Sequence, residues 1–199
     1  VTESNSEGTD EIRTSDSYTI PENVENIELQ GSDDINAFGN NQANEITGNS
    51  GDNSLGGGEG SDILKGGDGN DMMQGDDGND VLTGGKDDDI LSGNRGDDTL
   101  DGGRGDDVLI GGSGVDIFVI SPGRDEIFDF KANEDTIAIK SDFSCSYTLE
   151  KYEDVPNSGT FVKLFDDSDS EIGQTTVQNI EPKDFPNIIF VDDEYQPVD

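Results

Sequence analysis

From Gly57 the sequence repeats every nine residues: GGEGSDILK, GGDGNDMMQ, GDDGNDVLT, GGKDDDILS, GNRGDDTLD, GGRGDDVLI and GGSGVDIFV follow one another without an insertion. The shared pattern is GGxGxDxUx, with U apolar. A tandem period this short restricts the chain to a solenoid, because each unit buries its one apolar side chain only by stacking on its neighbours. An eighth turn, ISPGRD over residues 120–125, keeps Gly123 and Asp125 in the fourth and sixth places. Upstream, GNNQANEIT and GNSGDNSLG hold the same register with Asn44 and Asn53 in place of the aspartate. The array therefore spans residues 39–125.

Each GGxGxD stretch reads as a turn, since glycine reaches positive φ without steric cost. The last three positions read as a very short strand. The middle residue of such a strand points away from its neighbours, which puts Leu64, Met73, Leu82, Leu91, Leu100, Leu109 and Phe118 on an inner face. Two units make one coil, so alternate turns lie on the same side. One file is then Asp62, Asp80, Asp98 and Asp116, and the other Asp71, Asp89, Asp107 and Asp125. Parallel strands lie about 4.7–4.9 Å apart, so the files repel themselves unless a cation intervenes.

Composition points the same way. Hydrophobic residues make up 29%, glycines number 27, and 47 acidic against 11 basic residues leave a net charge of -36. Such a chain stands close to the disordered class, and its thin apolar seam does not offset backbone entropy of roughly 1–2 kcal/mol per residue. An acidic disordered tail is the plain alternative, and the apolar residue recurring at the eighth place argues against it. Calcium, with oxygen ligands at about 2.3–2.6 Å, reaches two adjacent turns at once, whereas magnesium wants a smaller, stricter octahedron. Between Gly57 and Asp125, 17 acidic and 5 basic residues leave a net charge of -12, the charge about six divalent ions balance.

The same field repels phosphate backbones and anionic lipid, so neither nucleic acid nor a membrane is an expected partner. No stretch approaches the roughly 20 apolar residues of a spanning helix. The absence of histidine removes the Ser/His/Asp and Cys/His nucleophilic sites and the usual zinc sites, and the segment is expected not to be an enzyme. EF-hand spacing, GxGxxG and GK[ST] are all missing. Cys145 is single and reads as a half-buried strand residue.

The opening VTESNSEGTD lacks the regions of a secretory signal and has no initiator Met, so a piece of a longer protein is expected. Residues 1–38, with alternating runs such as NIELQ, read as a leader and capping strands over the first coil. Residues 126–199 carry the runs EIFDF, DTIAI, GTFVKLF, QTTV and NIIFV between the turn signals PNSG, DDSDS and PKDFPN. They read as a β-rich cap.

The seven tandem units resemble the repeats-in-toxin (RTX) family, the hemolysin-type calcium-binding proteins. The flanks VENIELQGSDDINAFGNNQANEITGNSGDNSL and GGSGVDIFVISPGRDEIFDFKANEDTIAI are similar to the family's entry and exit. The resemblance implies an all-β, calcium-bound parallel β-roll. It also implies that each ion takes carbonyls two and four and the carboxylate of one turn, with carbonyls one and three and the carboxylate of the next turn on the same side.

Carried over, one site uses Gly58, Gly60 and Asp62 with Gly75, Asp77 and Asp80. Across the roll, Gly67, Gly69 and Asp71 meet Gly84, Lys86 and Asp89. Next come Asp76, Gly78 and Asp80 with Gly93, Arg95 and Asp98, then Gly85, Asp87 and Asp89 with Gly102, Arg104 and Asp107. A fifth joins Asn94, Gly96 and Asp98 to Gly111, Ser113 and Asp116; a sixth joins Gly103, Gly105 and Asp107 to Ile120, Pro122 and Asp125 in an irregular turn. Lys86 lends only its carbonyl. Asp87, in place of the fourth-position glycine, is expected to enter the left-handed region. About five or six ions are expected, with the ends of the roll open to more.

The resemblance further implies a secreted, extracellular or cell-surface protein exported by a type I apparatus, with the uncleaved export signal towards the C-terminal end of the cap. The expected function is a calcium-binding module, monomeric, that folds on extracellular calcium and supports secretion and folding of an upstream cargo. An adhesive or surface-lattice module rigidified by calcium is the alternative.

Overall fold

The structure, a computed structural model, describes residues 8–140 and the strand segments 146–151, 160–165, 171–177 and 188–191. The first half of the described chain holds β1 Glu11–Thr14, β2 Tyr18–Thr19, β3 Asn26–Leu29, β4 Ala37–Phe38, β5 Glu45–Thr47, β6 Ser54–Glu59, β7 Ile63–Asp68, β8 Met72–Asp77, β9 Val81–Lys86 and β10 Ile90–Arg95. Then follow β11 Thr99–Arg104, β12 Val108–Ser113, β13 Ile117–Ile120, β14 Arg124–Ile127, β15 Thr136–Lys140, β16 Ser146–Lys151, β17 Thr160–Phe165, β18 Glu171–Val177 and β19 Ile188–Val191. No helix occurs among the described residues.

The fold is an all-β parallel roll. Up to β15, odd strands form one sheet and even strands the other, so each coil crosses from sheet to sheet, as a two-unit coil requires. Register advances by two units per coil: Leu64 opposes Leu82, Leu82 opposes Leu100 and Leu100 opposes Phe118. In the second sheet Leu55, Met73, Leu91 and Leu109 align likewise. All these side chains are at most 1% exposed, and together they form one apolar seam between the sheets. The seam continues into Ile46 upstream and into Ile127 and Ile137 downstream. Where it ends, Phe118 packs on Phe130 with ring centroids 6.0 Å apart.

The strands are longer than the three residues the pattern suggests. Each regular strand takes six residues, the last three positions of one unit and the first three of the next. Pairing covers Ile63, Leu64 and Lys65, skips Gly66, and resumes at Gly67 and Asp68. Parallel pairing thus carries the ladder round the corner, and the unpaired turn shrinks to the fourth to sixth places.

The N-terminal strands lie parallel in the same two sheets: β1 pairs with β3, and β2 with β4. At the other end β18 lies parallel to β14, then β17 and β16 run antiparallel outward, while β19 lies parallel to β15. GTFVKLF and NIIFV contain strands β17 and β19, DTIAI and QTTV overlap β15 and the second half of β18, EIFDF overlaps only the end of β14, and β16 had no counterpart in the sequence reading. Cys145 and the segments PNSG, DDSDS and PKDFPN lie outside the described residues.

Candidate metal centre

The corners of the roll are set by backbone conformation. Second- and fourth-position residues take positive φ, from Gly58 (+103°) to Gly78 (+150°). Where the glycine is replaced the conformation persists: Asp76, Asp87 and Asn94 adopt φ of 74°, 72° and 74°. Asp87 thus enters the left-handed region as its short polar side chain allows.

First-position glycines have a different cause. A Cβ built on Gly57 would meet both Asp62 Oδ2 and the Gly75 carbonyl of the next coil. On Gly66 it would meet Asp71 Oδ2 and Gly84 O, on Gly84 Asp89 Oδ2 and Gly102 O, and on Gly93 Asp98 Oδ2 and Gly111 O. In four of the six expected sites, therefore, the carboxylate of one turn and carbonyl one of the next face a common point. At Gly75 and Gly102 the nearest atoms all belong to Asp80 and Asp107. There the nearest neighbour is the carboxylate of the same turn.

That file is continuous. The N–H of Asp62 donates to Asp80 Oδ1, Asp80 to Asp98 and Asp98 to Asp116, at 2.8, 2.8 and 3.1 Å. Opposite, Asp71 donates to Asp89, Asp89 to Asp107 and Asp107 to Asp125, at 2.8, 2.9 and 3.3 Å. Third-position carbonyls of Asp77, Arg95 and Ser113 point back to the preceding coil, accepting from Gly60, Gly78 and Gly96. The Lys86 and Arg95 side chains turn outward to Asp68 and Asp77, at 2.7 and 3.0 Å, so a role for either residue at the centre rests with its carbonyl. Ile120 is buried at the end of β13, and Gly123 (φ +152°) keeps the irregular turn that carries Pro122.

One oxygen is left over in seven of these carboxylates. Oδ2 of Asp62, Asp71, Asp80, Asp89, Asp98, Asp107 and Asp116 is buried without a hydrogen-bond partner, in side chains at most 2% exposed. Burial pushes Asp62, Asp71, Asp107 and Asp116 up to about 6, Asp80 and Asp98 to about 7 and Asp89 to about 8. Buried acceptors of this kind are costly unless paired or bound to metal. Their donor set, carboxylate plus backbone carbonyl and no nitrogen or sulfur, is that of a hard cation such as calcium. No group of three or more carboxylates converges among the described residues, so carbonyls must complete any coordination sphere.

At the start of the array asparagine alters the arrangement. Asn44 Oδ1 accepts from Asn40 N at 2.8 Å, and its Nδ2 donates to Val24 O and Glu25 O. Asn53 Oδ1 accepts from Asn49 N at 2.9 Å, and its Nδ2 donates to Ile35 O and Asn49 Oδ1. Both amides are satisfied within the protein.

The sequence reading missed two features. Position five forms a rim ladder of opposite sense, in which Asn70 N donates to Asp52 Oδ1, Asp88 N to Asn70 Oδ1 and Asp106 N to Asp88 Oδ1. Its signal was legible: Ser61, Asn70, Asn79, Asp88, Asp97 and Asp106 all carry a side-chain oxygen there. The other is Asp135, 1% exposed, whose Oδ1 accepts from Asp116 N at 3.0 Å across 19 residues. The segment Asp135-Thr136-Ile137 repeats the D-x-U signature without the glycines.

Residues 30–127 match the family model of the RTX calcium-binding nonapeptide repeat (4 copies), in overlapping windows at 30–64, 38–73, 56–91, 65–100, 83–118 and 92–127. Among solved structures, the chain is similar to the extracellular lipase LipA from Serratia marcescens, with 16% identity and a TM-score of 0.36 over 83% of this chain and 41% of the lipase. It is also similar to the AlgE6R3 subunit of the Azotobacter vinelandii mannuronan C5-epimerase, with 19% identity and a TM-score of 0.30 over 85% of this chain and 86% of that subunit. The chain thus spans less than half the length of the lipase. No curated protein matches it.

Proposed function

Residues 30–127 belong to the RTX calcium-binding nonapeptide repeat family, and from that premise we propose that the chain is a folding module switched on by extracellular calcium, serving type I secretion and folding of an upstream cargo. The observation that carries this is the pair of buried carboxylate files, in which Asp62, Asp71, Asp80, Asp89, Asp98, Asp107 and Asp116 each use one oxygen for register and keep the other unpartnered.

The six ligand sets, from Gly58, Gly60 and Asp62 with Gly75, Asp77 and Asp80 to Gly103, Gly105 and Asp107 with Ile120, Pro122 and Asp125, hold about six ions. When bound, calcium supplies the positive charge and hard-acid coordination that buried carboxylates and carbonyls lack. The chain supplies the geometry: first-position glycines clear the space beside the carboxylates, where a Cβ would meet Oδ2, and the second- and fourth-position carbonyls assigned to the ions belong to corners of positive φ. The amides of Asn44 and Asn53 leave their own coils without need of metal.

Below the calcium level of the outside medium the files repel and the array stays unfolded, fit to pass through an exporter. Outside, sites with dissociation constants of about 10⁻⁴–10⁻³ M, usual for extracellular calcium modules, make binding energy part of folding energy. The leader and capping strands of 1–38, the roll of 39–125 and the cap of 126–199 with its export signal divide these tasks. The module acts as a secreted monomer and performs no catalysis; neither nucleic acid nor membrane is its partner, and no helix among the described residues is long and apolar enough to cross one.

Far-UV circular dichroism tests this reading. The β signal is expected to be weak in EDTA and to rise cooperatively into the millimolar range; an equal signal in EDTA and in several millimolar calcium sinks the switch.

A further inference from the structure

The file that begins at Asn44 does not stop at Asp116. Its N–H to Oδ1 links run Asn44 to Asp62, then through Asp80, Asp98 and Asp116 to Asp135, and only the last step spans 19 residues instead of 18. The link from Asp116 to Asp135 therefore frames a terminal place as the earlier links frame the expected sites. What differs is Lys131, which stands four residues before Asp135, as Gly112 stands four before Asp116.

Lys131 Nζ donates to the Gly112 carbonyl at 2.8 Å. Gly112 occupies the second position of its turn, with φ of +101°, the position whose carbonyl is assigned to the metal in the earlier turns at Gly58, Asp76 and Asn94. Asp116 and Asp135 are both raised chiefly by burial, and on both the Lys131 charge acts downward. Glu134 lies 3.9 Å from the ammonium. Asp129 also acts on both aspartates, while its own oxygens accept from Gly111 N and Gly112 N.

The oxygen pattern agrees. Asp135 Oδ2, equivalent to the atoms unpartnered from Asp62 to Asp116, accepts from Lys131 N at 2.7 Å. A residue four places earlier closes the oxygen of Asn44 and of Asn53 in the same way.

We propose that the ammonium of Lys131, hydrogen-bonded to the Gly112 carbonyl and not paired with Asp116 Oδ2, blocks the terminal cation place of this file by taking up that carbonyl, so that the place takes no calcium and the ladder is closed by a charge the chain carries itself. The repeat pattern assigns nothing there, because Lys131 lies beyond the last unit. The claim rests on the calcium reading of the preceding subsection.

Counting bound ions on the full chain by native mass spectrometry at saturating calcium tests it. Lys131→Met is expected to hold one ion more than the wild type, and Lys131→Arg the same number as the wild type; an unchanged count in Lys131→Met overturns the proposal. Should Lys131→Met not fold, Asp135→Asn decides: an unchanged count supports a place without calcium, and loss of one ion overturns it. A wild-type chain that retains no calcium at all fails the functional reading instead, so the two failures are distinguishable.

Discussion

The backbone N–H of Asp62 donates to Oδ1 of Asp80 across one coil at 2.8 Å, while Oδ2 of Asp80 is buried and unpartnered. One carboxylate thus sets the stacking register with one atom and presents the other for coordination. The two roles separate on mutation.

Asp80→Asn keeps an oxygen for the Asp62 N–H but removes charge from the two proposed sites that share Asp80. Native mass spectrometry is expected to show two fewer ions. The calcium midpoint of folding is expected to rise at least about tenfold, or about 1.4 kcal/mol. An unchanged ion count excludes Asp80 as a ligand.

Acid is expected to replace metal in part. Burial raises seven file aspartates, Asp62, Asp71, Asp80, Asp89, Asp98, Asp107 and Asp116, from an ordinary 3.8 to between about 6 and about 8, so folding favours their protonated forms. Their contribution to the metal-free roll is complete below pH ~4 and is lost as pH climbs through about 6 to about 8. Lowering dilute, calcium-free chain from pH 8 to 5, still above the pI of about 4.1, should increase the far-UV β signal, whereas calcium affinity should fall over the same range. A metal-free chain that loses β signal on acidification contradicts this sign.

Gly75→Ala places a Cβ on Asp80 Oδ2. The overlap should cost about 1–3 kcal/mol and reduce ion number. Asn79→Ala removes only the rim bond from Asp97 N, for about 0.5–1.5 kcal/mol. Its ion count should stay that of the wild type, so thermal melts and ion counts together distinguish the two ladders.

Leu91→Ala opens a cavity in the fully buried seam, and denaturation in saturating calcium should show a loss of about 2–5 kcal/mol. On the outer face Ile90 is 42% exposed, and Ile90→Ala should change stability by no more than about 0.5 kcal/mol. Equal losses at the two positions contradict the assigned faces.

Strict periodicity made the centre of the roll legible. Once the period is nine and the strand side chains alternate, Leu64 and Leu82 must face inward, and Asp62 and Asp80 must stack. What stayed hidden depends on hydrogen bonds that a residue pattern does not encode. The GGx segment reads as turn from its glycines, but parallel pairing of Gly67 with Gly85, both at positive φ, keeps it within the ladder. Position five looked variable because Ser, Asn and Asp alternate there, although all offer the acceptor the rim needs. Asp135 escaped because the longer last step and the missing glycines break the period just where Lys131 enters.

A ladder of like strands has no intrinsic length, and any bare rung is a template for another copy. In the even-numbered sheet the first rung, Tyr18–Thr19, is two residues long, and at the far end strand direction reverses from Glu171–Val177 to Thr160–Phe165. In that sheet the roll resembles a one-dimensional crystal whose two described edges are poor seeds for further growth.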